Sequence, residues 1–436
     1  MTASPTIVRA ACTPVLISDP PLLNVVGVHQ PFTPRCIIEL ETDTGVIGVG
    51  ETYGDTEYLQ IAQVVADKIV GRPLIEINAL YDLVRDSARV GGSQHLERDP
   101  AGLRGARNDE KLIRSVFSGY EVASLDALGK VLELPVHALL GGKIRDRVEY
   151  SAYLFYRWAE HPLPQPDGTP ADLPRDSWGA ALDPDGVVRQ ARWFFDQYGF
   201  KSFKLKGGVF PPDEEIAAIK ALAAAFPGYP LRLDPNAGWT VQTSLHVARE
   251  LDGLLEYLED PTPGVAGMSE VHRVSAVPLA TNMIVTTFAE IPAAFTANAV
   301  QVVLSDHHYW GGLNATRELA AICRTYGVTL SMHSNTHLGI SLAAMTQAAS
   351  VIPQLVHACD THRPWQTEDV ITEPHVFVDG ALEVTNTPGL GVDLDRQQLT
   401  RLHQRWVDSD IRDRDDVAAM QIAHPDWVRP PLGQRW

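Results

Sequence analysis

The sequence predicts an α/β protein built on a (β/α)8 barrel of the TIM type, preceded by a small α+β domain. Two observations lead there. From about residue 147 onward, eight short strand-like runs recur with helical segments between them, the alternation that parallel βα units need. Six successive runs also end in a polar or charged residue, Lys206, Asp234, Glu259, Asn282, Asp306 and His333, at intervals of 23 to 28 residues. Each interval is about one βα unit. In a (β/α)8 barrel the C-terminal ends of the strands converge on one face, where active sites lie.

The elements follow in chain order. Residues 36–54 alternate apolar and polar side chains around "TDTG" and predict a β-hairpin. Helical patterns come next, in "YLQIAQVVADKIVG" and "IRSVFSGYEVASLDALGKVLEL". Residues 1–145 therefore form the small α+β domain. The barrel, residues 146–370, takes its strands from "RVEYSAYLFY", "FKSFKLK", "LRLDPN", "GLLEYLED", "VPLATN", "VQVVLSD", "VTLSMH" and "LVHACDTH". The helix in "AGMSEVHRVSA" must be brief. Residues 161–185, rich in Pro and Asp, predict a long loop after the first barrel strand. The tail, residues 371–436, carries "HVFVDGALEV", "PGLGVDLD" and a helical stretch, and is expected to pack back on the first domain.

Composition narrows the function classes. The chain has 436 residues and a formal net charge of −18. So acidic a surface repels phosphate backbones and anionic lipid, which argues against nucleic acid and membrane as partners. A cleft can still reverse the field locally, so an anionic substrate is compatible with it. The four cysteines, Cys12, Cys36, Cys323 and Cys359, form no CxxC pair, and they predict buried thiols in a reducing compartment. The first 21 residues have no apolar signal-peptide core, and "GISLAAMTQAASVIPQLV" carries Ser, Thr, Gln and Pro and predicts a buried helix. A cytoplasmic protein is expected.

The six strand ends define the chemistry. Asp234, Glu259 and Asn282 are oxygen donors from adjacent strands, a hard set with two negative charges that suits Mg²⁺. Lys206 flanks them on one side. On the other stands His333, with Asp306 one strand earlier to orient its ring. Lys204 and Lys206 lie two apart on one strand, so they share a face. The second cation disfavours the charged form of the first and suits Lys206 to act as a base, while Lys204 is placed to hold a substrate carboxylate. The alternative use of Asp306 is to cap a following helix; His307 and His308 are assigned packing or loop roles. Gly207 and Gly208 predict a tight turn rather than a phosphate nest. Two potential bases facing one metal fit proton abstraction α to a carboxylate, whose enediolate a cation stabilises.

These motifs, with "NVVGVHQPF", "YLFY", "FKLKGGV", "LATNMI", "HSNTHLGISLAAMT" and "DTHRPWQ", resemble the enolase superfamily, and most closely its glucarate dehydratase subgroup. The resemblance runs over nearly the whole chain. It implies a modified barrel under a capping domain made from the N-terminal segment and the C-terminal tail. It implies Mg²⁺ on Asp234, Glu259 and Asn282, Lys206 as base for one epimeric configuration, and His333 with Asp306 for the other. Asn236, Ser334 and Asn335 would hold the reacting carboxylate, and Asn24, His29, Tyr153, Phe155 and His362 would line the distal pocket. Of the C-terminal arginines, Arg429 and Arg435 are candidates for the far carboxylate, and Arg435 is the one chosen. The implied activity is dehydration of an acid sugar, D-glucarate or L-idarate, to 5-keto-4-deoxyglucarate in a homo-oligomer. The alternatives are dehydration or epimerisation of another aldarate or aldonate, or a non-catalytic metal-binding paralogue. The chain departs from the family at Asn236-Ala237-Gly238, where the family has Asn-Gly-Ala, and at Val265 and Ala266, where the family tends to carry a further acid. Residues 91–111 do not match the family's substrate-contacting loop.

Overall fold

The computed structural model describes residues 4–90, 109–162 and 177–436. The divergent segment at 91–108 and most of the loop predicted at 161–185 lie outside the described residues. The N-terminal part is a three-stranded antiparallel sheet, β1 (Ile7–Ser18), β2 (Phe32–Thr42) and β3 (Ile47–Tyr53). It packs on the helices α1 (Thr56–Ile69), α2 (Ile77–Val90) and α3 (Asp109–Leu132). The hairpin falls where the alternation placed it. β1 is an addition: Pro14 and its mixed polar pattern conceal a strand that pairs with β2 from Ile7 to Ser18.

The packing of β3 on α3 needs glycine. A Cβ at Gly48 would lie 2.1 Å from Ala123 O, and one at Gly50 would lie 2.0 Å from Gly119 O. Both neighbours are helix backbone and cannot rotate away, so overpacking here costs at least the ~1–3 kcal/mol typical of a crowded core. Gly50→Val is expected to lower the thermal midpoint by several degrees or prevent folding. An unchanged midpoint would mean that the strand and helix can part without loss.

After the short α4 (Val136–Leu139) come the barrel strands β4 (Arg147–Phe155), β5 (Phe203–Lys206), β6 (Leu231–Asp234), β7 (Leu255–Glu259), β8 (Leu279–Thr281), β9 (Val302–Ser305), β10 (Thr329–Met332) and β11 (Cys359–Thr361). All eight coincide with the predicted runs. They are parallel, in the order β10-β9-β8-β7-β6-β5-β4-β11. The seam between β10 and β11 is bridged by the Ser331 hydroxyl, which donates to Ala358 O at 2.9 Å. The intervening helices are α5 (Pro184–Tyr198), α6 (Pro212–Ala225), α7 (Val241–Glu250), α8 (Gly264–Val274), α9 (Ile291–Thr296), α10 (His307–Trp310), α11 (Gly312–Tyr326) and α12 (Gly339–Ser350). α8, the brief helix, has 11 residues. α12 is buried along its whole length. Among the described residues, no helix is long and apolar enough to cross a membrane.

The tail divides its contacts. β12 (Ala381–Glu383) pairs antiparallel with β4. α13 (Arg396–Asp408) lies against β1, with His403 Nδ1 2.7 Å from Pro14 O and the Arg405 guanidinium donating to Leu16 O at 3.1 Å. The last helix, α14 (Asp416–Ala423), begins at the edge of the site described next.

Candidate active site

Period-2 alternation sends Lys204 and Lys206 from β5 into the barrel, where both are buried. Neither ammonium stands alone. Lys206 Nζ donates to Asp234 Oδ2 at 2.7 Å and to the Tyr153 hydroxyl at 3.1 Å. Lys204 Nζ lies 2.6 Å from Glu259 Oε2, 2.7 Å from Asp360 Oδ2 and 3.5 Å from Asp234 Oδ2. The expected bare repulsion between two lysines is thus replaced by a cluster in which three carboxylates compensate two ammonium groups. Burial alone would push Lys204 down; Asp360 and Glu259 more than reverse it and hold its ammonium well above the ordinary lysine range.

The donor set keeps room for a cation. Glu259 and Asn282 are buried, yet neither Glu259 oxygen accepts a hydrogen bond of ordinary geometry, and both polar atoms of the Asn282 amide lack a partner among the described residues. Unpaired buried polar atoms are costly. Burial and the charges of Asp234 and Asp360 push Glu259 well above the usual carboxylate range, against the pull of Lys204. Glu259 and Asn282 in this condition, beside the Asp234 carboxylate that Lys206 Nζ and Asn236 N occupy, make two carboxylates and an amide oxygen, a set that fits a divalent hard cation. Asp260 fixes the neighbouring strand end by accepting from Thr281 Oγ1 at 2.5 Å and from Asn282 N at 2.8 Å. The backbone here is strained: Asn236, Ala237 and Asp260 have φ of 49°, 55° and 37°. Ala237 holds a left-handed conformation that glycine would adopt without a Cβ penalty.

Across the barrel, separated from β5 by β4 and β11, stands His333. Its Nδ1 lies 3.0 Å from Asp306 Oδ2. A carboxylate accepts, so Nδ1 carries the hydrogen and Nε2 is free to take a proton. Burial, partly offset by Asp306, lowers His333 from the ordinary imidazole range and keeps it neutral at neutral pH. For Asp306, burial works upward, but the His308 and His333 rings outweigh it and hold the carboxyl well below its usual range. Asp306 does cap α10, accepting from His308 N at 2.9 Å, so both of its predicted uses occur together. The packing role given to His308 is corrected: its Nδ1 lies 2.8 Å from Asp306 Oδ1. Arg35 sits on the same group, with Nη2 3.4 Å from His308 Nε2, and its charge repels a cation from Asp306, His307 and His308.

One cavity joins these groups. Lys206, His333, Tyr153, Phe155 and His362 line it, with His29, Ser334 and Asn335. Ser334 Oγ accepts from His362 N at 3.1 Å, and Asn335 Nδ2 donates to the hydroxyls of Tyr53 and Tyr309 at 3.3 and 3.2 Å. The turn at Gly207 and Gly208 is held from inside: buried Glu215 accepts from Gly208 N, Val209 N and Phe210 N at 3.0, 2.8 and 3.1 Å. A carboxylate of the protein thus fills the nest that a phosphate would otherwise occupy.

Lys204, Asp306 and the trio Asp234, Glu259 and Asn282 lie behind the cavity lining, and three of the predicted substrate-binding residues stand apart from it. Asn24 spends its side chain on Asp416 Oδ2 at 3.1 Å and on the amides of Val26 and Gly27 at 2.7 and 3.1 Å. Asn236 donates to Met283 Sδ at 3.8 Å. Arg435 donates to Val25 O and Val209 O at 2.9 and 2.8 Å. The arginine at the cavity is Arg414, together with Thr336. Asp416 grips it through Nε at 3.0 Å and Nη2 at 2.9 Å, Nη1 donates to Thr336 Oγ1 at 3.2 Å, and Asp19 Oδ2 lies 3.6 Å away. Asp19 also lies 3.1 Å from His29 Nδ1. Sequence reasoning missed Arg414, Asp19 and Asp360. Asp360 had a signal, since extending the strand-end register to β11 reaches it.

The barrel portion, residues 186–398, matches the enolase C-terminal domain-like family, and residues 8–141 match the mandelate racemase/muconate lactonizing enzyme N-terminal domain. The chain belongs to the enolase superfamily. Within it, this enolase-superfamily chain is glucarate dehydratase-like, an enzyme of the carbon–oxygen lyase class. It is 62% identical to a probable glucarate dehydratase of Streptomyces coelicolor, over 100% of both chains. An enolase of Thermobispora bispora, solved with magnesium and formate, is 50% identical at a TM-score of 0.92, with 98% of this chain and 99% of that one covered. An enolase of Pseudomonas fluorescens with magnesium, potassium and tartrate is 46% identical at a TM-score of 0.93, with 99% of each chain covered.

Proposed function

We propose that the protein dehydrates a six-carbon diacid sugar, D-glucarate or L-idarate, to 5-keto-4-deoxyglucarate. One observation carries this reading. Lys206 and His333 enter a single cavity from separated strands, and that cavity also receives the oriented guanidinium of Arg414. A substrate with a carboxylate at each end uses both the donor set around Asp234 and the arginine. Relatives solved with both magnesium and formate or tartrate support a carboxylate ligand.

Asp234, Glu259 and Asn282 would hold Mg²⁺. When bound, the cation would stabilise negative charge on the substrate carboxylate. Lys206 Nζ, as the neutral amine, or His333 Nε2, according to the configuration at the α carbon, takes the α-proton. The C–H electron pair moves onto the carboxylate as an enediolate. It returns to form the C=C bond as the β-hydroxyl leaves with a proton, as water. Where His333 has taken the α-proton, its imidazolium, held by Asp306, supplies that proton; where Lys206 has taken it, the new ammonium does. The enol then tautomerises to the keto acid. Tyr153 and Phe155 form the apolar wall, backed by Trp365, whose Nε1 donates to Tyr153 O at 2.7 Å.

Incubating a panel of aldarates and aldonates with Mg²⁺ and measuring semicarbazone-forming keto acid tests the reading. Glucarate and idarate are expected to give product. Epimerised diacid without keto acid would favour the epimerase alternative, and no reaction with any acid sugar would sink the proposal. Arg414→Lys keeps the charge but loses the fork that Asp416 aligns. It is expected to raise KM for the diacid about 10- to 100-fold and to leave KM for an aldonate nearly unchanged. An equal rise for both acids would remove Arg414 from distal carboxylate binding.

A further inference from the structure

We propose that His308 is a positioning residue for the His333 base, linking it to the Arg35–Glu51 ion pair of the capping sheet. This rests on the reading above, in which His333 accepts a substrate proton.

The geometry is a chain of buried groups. Glu51 Oε1, on β3, accepts from Arg35 Nε, on β2, at 2.8 Å. Arg35 Nη2 reaches His308 Nε2 at 3.4 Å, and Ser341 Oγ lies 3.2 Å from the same nitrogen. His308 Nδ1 lies 2.8 Å from Asp306 Oδ1, and Asp306 Oδ2 lies 3.0 Å from His333 Nδ1. A guanidinium can only donate, so His308 Nε2 must be bare; a carboxylate can only accept, so His308 Nδ1 must carry the hydrogen. The partners on its two nitrogens therefore fix the ring's orientation and place the Nδ1 hydrogen on Asp306.

The consequence falls on Asp306. Its Oδ1 is held by two donors, His308 N and His308 Nδ1, so the carboxylate cannot rotate about Cβ–Cγ without losing both. That fixes the direction of Oδ2, and with it the plane and tautomer of His333. Glu51 also accepts from Leu338 N at 2.8 Å and Ser341 N at 3.0 Å at the start of α12. The capping sheet is thereby pinned to the barrel at the point where the base is aimed.

The test uses two substitutions that divide the contacts of His308. His308→Asn places an amide N–H where Nδ1 stands and keeps the donor to Asp306. His308→Gln reaches toward Arg35 and Ser341 but loses that donor. Deuterium exchange of the substrate α-proton with Mg²⁺ is followed for both epimers, with the thermal midpoint as control and ¹⁵N spectra reporting the His333 tautomer. His308→Gln is expected to slow exchange on the His333 face about 10- to 100-fold, leave the Lys206 face within about twofold, and mix the His333 tautomers. His308→Asn should retain the wild-type values. Equal loss on both faces, or a His333 ring that stays Nδ1-protonated in His308→Gln, would overturn the proposal. If the wild-type enzyme exchanges no substrate proton, the proposed reaction fails, and the tautomer comparison still decides the role of His308.

Discussion

Lys206→Ala and His333→Ala are each expected to abolish α-proton exchange for one epimer of the substrate and to spare the other. A positioned acid–base group contributes about 10²- to 10⁴-fold to rate, and a single deletion should remove that much from one face. The expectation follows from placement: Lys206 ends β5, while His333 follows β10, with β4 and β11 between them. The two groups reach the cavity from different directions. The measurement is deuterium incorporation from D₂O into glucarate and idarate separately. Loss of both exchanges in both variants would mean that the groups act in series on one proton path. For the His333 face, pH adds a second check. The base must be neutral, and burial lowers its pKa below the reference of 6.5. The acid limb of kcat/KM should therefore fall below that reference rather than above it.

Removal of the divalent ion is expected to eliminate turnover, with recovery on adding Mg²⁺. The same site should appear in stability, without any reaction. A ligand at one hundred times its Kd stabilises the folded state by about 2.7 kcal/mol, so Mg²⁺ should raise the thermal midpoint of the wild type. Glu259→Gln removes one charge from the donor set while leaving Lys204 its contact with Asp360 at 2.7 Å. In that variant the rise in midpoint should vanish. An undiminished rise would place the cation elsewhere and remove Glu259 from the set. Asn282→Leu gives a second reading: it deletes an amide whose polar atoms have no partner among the described residues, so metal binding should suffer more than the apo fold.

Much of the site was legible because its rules are local. Lys204 and Lys206 share a face since strand side chains alternate. The chain from Lys206 to His333 repeats at one βα unit, and each repeat returns to the same end of the barrel. The Asp306–His333 pair was legible for the same reason. β1 was less so, because its inward set is established by pairing with β2 and not by its own pattern. Arg435 was chosen for lying near the end of the tail, yet its guanidinium is spent on the backbone oxygens of Val25 and Val209. Arg414 sits two residues before an aspartate that grips it, and nothing local distinguishes it from the other arginines of the tail.

The sequence by itself determined the barrel and the order of the strand ends, and from them it nominated the donor trio and the two candidate bases, because periodicity and spacing are properties of neighbouring residues. Only the tertiary structure decided which arginine meets the cavity, which carboxylate neutralises Lys204, and which imidazole steadies Asp306. Arg414 with Thr336, Lys204 with Asp360 and Arg35 with His308 are pairs separated by 78, 156 and 273 residues. Contacts across such distances depend on how layers pack and which buried charges must be compensated, and a linear pattern carries no record of that compensation.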